Sequence, residues 1–308
     1  MAEPRASPIV AFVLVVIVLA AGLAGGAFLY YENHKSPSPG PLTVQVGDNV
    51  TVNYIGLFAK GPQQGRVFDT SEYAVASNNV SWPKSLQYAS RGGSPSDYSP
   101  LGVYVGSNAP ASGYTIGNTT FGGVVPGFWQ GLVGLPGNHT AFLTVPPALG
   151  YSYVNSSCFV TQPLTITYPV VVTLTPSQFS SLFPNVSAVA GTVYTDPVYG
   201  WPDAILSVNA STLTYENLPT LGMVTNPTGW PVLVANISAT TITLESQLTP
   251  AQAGLVAGHA SGSGVCGKTA FIISNVNLAA GTYTEDYNSE VSGQTLLFVV
   301  TVVDIYRP

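Results

Sequence analysis

The sequence predicts an α+β protein dominated by antiparallel β-structure: a sheet wrapped on one short helix, a large mostly-β insertion, and an N-terminal transmembrane helix. Three observations lead there. Charged residues are 7% of the 308, against ~25% in an average soluble protein, while Gly, Pro, Ser, Thr, Asn and Tyr abound, the profile of β-rich extracellular material. Several segments alternate apolar and polar residues with the period of two that gives a strand one buried face. One central stretch instead sets Phe128, Leu132 and Leu135 at helical spacing. A net charge of -6 and few Lys or Arg exclude nucleic acid as a partner, because phosphate binding needs a dense basic surface.

In chain order, residues 1–7 form a short cytoplasmic N-terminus. Residues 8–31 (PIVAFVLVVIVLAAGLAGGAFLYY) are apolar almost throughout. That is long enough to cross a hydrocarbon layer of about 30 Å at about 1.5 Å per residue. The run exceeds the ~7–15 residues of a signal-peptide core and lacks a small-x-small site before the first polar residue. It therefore reads as an uncleaved anchor, with Tyr30 and Tyr31 in the interface. Arg5 and Lys35 orient it weakly. Sequons at Asn49, Asn79, Asn118, Asn138, Asn155, Asn185, Asn209 and Asn236 favour a glycosylated body outside the cell membrane. The front, RASPI ahead of the apolar run, is also similar to the processing region of archaeal type IV pilin-like subunits, without the acidic residue that follows the cut there.

Residues 32–41, with KSPSPGP, are an extended Pro/Ser linker. Val44, Val46, Val50, Val52 and Tyr54 then alternate along a strand, with Asp48 at the turn before it. Residues 61–65 make a loop, and Val67-Phe68-Asp69-Thr70-Ser71 returns as a second strand. Residues 77–100 read as a surface loop, PLGVYVG (100–106) as a strand, and 108–120 as another loop. The stretch FGGVVPGFWQGLVGLPGNHTAFLTVPPALGYS (121–152) has three parts: an apolar segment at Val124 and Val125, an amphipathic piece over 126–135, and a strand over 140–145. Gly134, Pro136 and Gly137 separate the last two.

Three segments in the same order carry a resemblance. VVPGFWQGLVGL followed by NHTAFLTVPPALGY, the upstream VGDNVTVNYIGLFAKG with GRVFDTS, and the downstream NSEVSGQTLLFVVTVVDI resemble FKBP-type peptidyl-prolyl cis-trans isomerases. They cover somewhat under half of the chain. The resemblance implies an FKBP-like domain over residues 42–152 and 288–308. It also implies a proline pocket with Phe128 as its floor and Val124 and Val125 beside it, the Val125 N–H holding the residue before the substrate proline. Tyr54, Phe68, Asp69, Tyr151 and Phe298 would be its walls, Asp69 accepting a hydrogen bond from Tyr54 and Tyr151 offering its hydroxyl to a substrate carbonyl. Leu101, Val103 and Leu296 complete the implied substrate-binding set. Leu101 and Val103 stand where the family carries aromatics, and Ser152 where it prefers glycine.

Between the resemblance segments lies an inserted β-rich domain, residues 153–287. The SlyD-like branch of the family carries an inserted chaperone domain at this place, rejoining through D-x-N-H-P-L-A-G-K-x-L-x-F. Here DYNSEVSGQTLLF keeps the D-x-N, the Gly and the L-x-F, and loses the His-Pro and the Lys. The insertion repeats internally: TDPVYGWPDAILSVNASTLTYEN (195–217) aligns with TNPTGWPVLVANISATTITLES (225–246), with a weaker copy in FIISNVNLAAGTYTEDYN (271–288). Each unit has one apolar face and is too short to bury it alone, so the copies must pack together. Trp201 and Trp230 recur at matching places and read as structural corners. TPSQFSSLF (175–183) and TPAQAGLV (249–256) read as short helices with a Thr N-cap and Pro in the first turn.

Cys158 and Cys266 would close one long loop in an oxidising compartment, or stand as two buried thiols in a reducing one. His34, His139 and His259 are far apart in sequence, and no cysteine or histidine spacing suits a metal. No Ser-His-Asp, P-loop or dinucleotide motif is present. Prolyl isomerisation needs no such group and no cofactor. The expectation is a membrane-anchored extracytoplasmic peptidyl-prolyl cis-trans isomerase, acting as a folding helper on proline-containing unfolded or surface proteins. The alternative is a catalytically weak surface binding or structural module, or a pilin-like subunit.

Overall fold

Strand is the dominant regular structure, 40% against 11% helix, and lies in four separate sheets whose pairs are antiparallel except for one. The computed structural model describes residues 41–109, 113–260 and 264–308. The expected transmembrane segment over 8–31 and most of the linker lie outside the described residues, within which no helix is long and apolar enough to cross a membrane. The described residues form two units: one holds residues 41–60, Gln64–Ser152 and Gln294–Pro308, the other Tyr153–Gly293 with Gly61–Gln63.

In the first unit the strands are β1 (Asn49–Phe58), β2 (Val67–Thr70), β3 (Leu101–Tyr104), β4 (Tyr114–Ile116), β5 (Thr119–Gly122), β6 (Thr140–Val145) and the last strand of the chain, β19 (Leu296–Tyr306). Their order is β4-β5-β3-β1-β19-β6, with β2 paired to β1 beside β3. β1 and β19 pair along their whole length, from Asn49↔Tyr306 to Phe58↔Leu296, so the two ends of this unit form its centre. A seven-residue helix, Pro126–Leu132, lies on one face. Val125 precedes it and Pro126 takes the first helical position, where its missing N–H costs nothing. Gly127 and Gly131, one turn apart, allow close approach to β6: a Cβ there would meet Val145 and Leu143 side-chain atoms at 2.7 and 2.8 Å.

β1 is buried on both faces, which explains its nearly continuous apolar run. One face carries Val52, Tyr54 and Phe58 toward the helix side. On the other, Ile55, Leu57 and Val67 meet Val75, Trp82, Tyr88, Leu297 and Val299. Residues 77–100 are therefore more than the surface loop expected from their polarity: Trp82 and Tyr88 cap a second small core. Lys84 fastens that loop, its ammonium donating to the carbonyls of Val75 (2.8 Å) and Trp82 (2.6 Å).

The second unit contains three four-stranded sheets. Its strands are β7 (Phe159–Pro163), β8 (Thr165–Pro169), β9 (Val171–Leu174), β10 (Val193–Thr195), β11 (Pro202–Val208), β12 (Leu213–Asn217), β13 (Val224–Thr225), β14 (Val232–Ile237), β15 (Thr241–Ser246), β16 (Ala257–His259), β17 (Ala270–Asn277) and β18 (Thr282–Asp286). The sheets run β10-β11-β12-β9, β13-β14-β15-β8 and β16-β17-β18-β7. Each is one copy of the repeat, short strand then hairpin, completed by a strand from the run 159–174. That run has a six-residue period, FVTQPL-TITYPV-VVTLTP. Thr161, Thr167 and Thr173 sit opposite Thr284, Thr243 and Thr214 in the three sheets. Each long hairpin bulges at one equivalent place, after Ile205, Val234 and Ile273.

The third copy is thus structurally complete, although Thr269 stands where the others carry Trp201 and Trp230. Both tryptophans are buried and donate from the indole N–H, to Asn217 Oδ1 (3.3 Å) and Ser246 Oγ (3.4 Å), as corner residues do. The helix Pro176–Leu182 forms with Thr175 and Gln178 capping each other's backbone N–H. Its counterpart at Thr249 is shorter than its sequence suggests, a single 3-10 turn over Pro250–Gln252. Cys158 and Cys266 are joined by a disulfide. The unit extends past residue 287 to Gly293, because Asn288 exchanges hydrogen bonds with the backbone of Asn155 at 2.8 and 3.1 Å.

Candidate functional site

Tyr54 stands near the middle of β1, and β2 pairs beside it, Gly56 opposite Asp69. Gly56 makes room for the neighbouring ring: a Cβ there would meet Phe68 at 2.6 Å. Phe128 rises from the first turn of the helix and Phe298 from β19, which pairs Phe298 with Gly56. The four rings interlock edge to face. Phe128 and Phe298 are 4.9 Å apart at 90°, Phe68 and Phe298 5.6 Å at 86°, and Tyr54 and Phe128 6.1 Å at 85°. Such edge contacts are each worth about 0.5–1.5 kcal/mol beyond the area they bury.

These rings bound an open hollow of about 250 Å³, lined also by Asp69, Leu101, Gly123, Val124, Val125 and Tyr151. Phe128 and Phe298 are buried, whereas Tyr151 is 43% exposed and stands at the mouth. The polar edge is a three-membered cluster. The Tyr54 hydroxyl donates to Asp69 Oδ2, and Arg91 Nη2 reaches the Tyr54 oxygen at 2.5 Å and Asp69 Oδ1 at 3.1 Å. The guanidinium also lies over the Tyr54 ring, 5.7 Å from its centre. Asp69 Oδ1 accepts from the Thr70 N–H at 2.8 Å as well. Burial first, and the Asp69 charge second, push the Tyr54 phenol far above its ordinary value, so it remains a donor. The same two causes, in the same order, raise Tyr151.

No protein-family model matches this chain, and no curated protein matches it.

All eight residues expected as catalytic line this hollow, as does Leu101. Val103 and Leu296, expected to bind substrate, do not. Both are fully buried, Val103 opposite Val50 in the sheet and Leu296 between Phe58 and Val145. Each shares a strand face with a lining residue, Leu101 or Phe298, and sits one pleat along from it. The period of two selects a face and leaves the position along the strand undetermined.

Arg91 is the residue sequence reasoning missed. Its place is fixed by the loop rather than by any periodic element: the Tyr98 hydroxyl meets Ser90 Oγ at 2.9 Å and receives the Arg91 N–H at 3.3 Å. A signal was present, since Lys and Arg together number eight in the chain and one of them stands beside Gly92 and Gly93 in a loop returning toward an aspartate.

Proposed function

We propose that this chain is a membrane-anchored, extracytoplasmic peptidyl-prolyl cis-trans isomerase of the FKBP type, assisting the folding of proline-containing secreted or surface proteins. One observation carries the reading: Tyr54, Phe68, Phe128, Tyr151 and Phe298, drawn from separate stretches of chain, surround one open apolar hollow with an ordered polar edge. Rotation about an X-Pro bond meets a barrier near 20 kcal/mol because twisting the amide breaks its resonance. A twisted amide has a less polar carbonyl than a planar one, so a dry aromatic site favours it without any nucleophile, provided the site binds the twisted form more tightly than the planar ones. Phe128 would carry the proline ring, the Val125 N–H the residue before it, and the Tyr151 hydroxyl a substrate carbonyl. The resemblance of the sequence segments supports these roles. The disulfide suits an oxidising compartment, and the apolar run over 8–31 suits an anchor.

The test is a proline-limited refolding reaction, run with the full chain in mild detergent. Acceleration is expected, falling by about tenfold or more for Phe128→Ala and less for Tyr151→Phe. A wild-type chain that binds a proline peptide without accelerating the reaction is a binding module instead.

A further inference from the structure

The three copies of the insertion place different residues at one structural position. Asp203 in β11, Val232 in β14 and Phe271 in β17 each stand two residues before the bulge. They pair with Tyr194, Thr225 and Gly258 on the short edge strands. Bulk is exchanged within each pair: Phe271 faces a glycine whose Cβ would meet its ring at 2.6 Å, Val232 faces a threonine, and the small Asp203 faces a tyrosine. Two copies fill the place with hydrocarbon. The first fills it with a carboxyl group.

Asp203 is 0% exposed, and neither of its oxygens has a hydrogen-bond partner; nor does the buried Tyr194 hydroxyl. The groups facing it are Tyr194 and Asp196 from β10 and its end, Tyr215 from β12, Tyr168 from β8, and the Trp201 indole, whose N–H is given to Asn217. None is a cation. Asp196 is itself buried, its Oδ1 accepting the N–H groups of Val198 and Tyr199 at 2.7 Å each. Between Tyr153 and Gly293 the sequence has seven acidic residues and one lysine, Lys268, which leaves little positive charge to recruit.

We propose that Asp203 is a pH sensor built into the first copy of the insertion, which is complete when the carboxyl is neutral and loosens when it ionises. A neutral acid fits beside Tyr194 without a counter-charge; an ionised one can call only on the Tyr194 hydroxyl and the Trp201 indole, both neutral, in an apolar place next to a second carboxylate, and their help is outweighed by burial and by that charge. Burial first, and the charge of Asp196 second, push the Asp203 carboxyl up to about 7 from an ordinary 3.8. Folding therefore takes up this proton between those two values. The stabilisation is complete below about pH 4, declines through the window as pH rises, and is gone above about pH 7. The opening constant rises about tenfold per pH unit, roughly a thousandfold in all.

Hydrogen exchange of peptides over residues 193–217, measured on the full chain from pH 4 to 8, tests the proposal, with Asp203→Asn measured at each pH so that intrinsic exchange cancels. The wild-type-to-variant ratio should climb by two to three decades across the window. Asp203→Val, which copies the second repeat, should remove the dependence and exchange more slowly than wild type at pH 8. A ratio to either variant that stays flat with pH overturns the proposal, and the Val variant alone decides it if the Asn variant does not fold.

Discussion

Asp48 in the first unit and Asp203 in the insertion are both buried carboxylates, and the molecule handles them in opposite ways. Asp48 receives a fork from Arg307, Nε to Oδ1 at 3.0 Å and Nη2 to Oδ2 at 2.9 Å, together with the Gln45 N–H at 2.8 Å. Although burial alone would raise its pKa, Arg307 holds the carboxyl below the ordinary value. Asp203 has no such partner and moves the other way. The difference follows the charge: outside 153–293 the sequence has seven acidic and seven basic residues, so the formal net charge of -6 belongs entirely to the insertion. With almost no cations in that unit, a buried acid there is held either by backbone N–H groups, as Asp196 is, or in its neutral form, as Asp203 is.

The largest effect that would sharpen this contrast comes from the disulfide. Replacing Cys158 and Cys266 by Ser opens a loop of 108 residues, and a loop of about 100 corresponds to about 4.7 kcal/mol in the chain-entropy view. Chemical denaturation should show the loss in the insertion, with turnover at the hollow unchanged per folded molecule. Next, Trp230→Ala should cost about 3–5 kcal/mol as a buried aromatic truncation while sparing turnover; equal loss of both would dissolve the distinction between the units. Acid comes third. The stability that ionised Asp48 contributes is present above about pH 4 and lost as pH falls below it. Arg307→Gln should therefore flatten the acid side of the urea-midpoint profile of the first unit, opposite in sign to the behaviour expected of Asp203. Arg91→Ala is smallest in stability, about 1 kcal/mol or less for a part-exposed pair, and should appear instead as slower proline isomerisation.

The pocket set was legible because its members are aromatic residues in short motifs, and because strand alternation points Tyr54, Phe68 and Phe298 to one side. Arg91 was not, since loop geometry leaves no period to read. Asp203 follows Trp201-Pro202 and looks like an ordinary polar residue leaving a turn; only alignment of the three copies on their bulges puts it where Val232 and Phe271 are buried. The six-residue period over 159–174 was hidden for a different reason. Val160, Val172 and their neighbours also satisfy a period of two, and the partners that give the longer period meaning lie far away in sequence.

Those partners are nested. The pairs Leu174↔Leu213, Pro169↔Thr241 and Pro163↔Thr282 span successively longer stretches of chain, like brackets closed from the inside outward. As the polypeptide is made, the sheet containing β9 can finish first, and the one containing β7 must wait for nearly the whole insertion. Loop-closure entropy grows in the same order, so assembly should proceed from the innermost pair to the outermost. A nascent chain halted after residue 217 would then already hold its first sheet while the edges of β7 and β8 still await their partners.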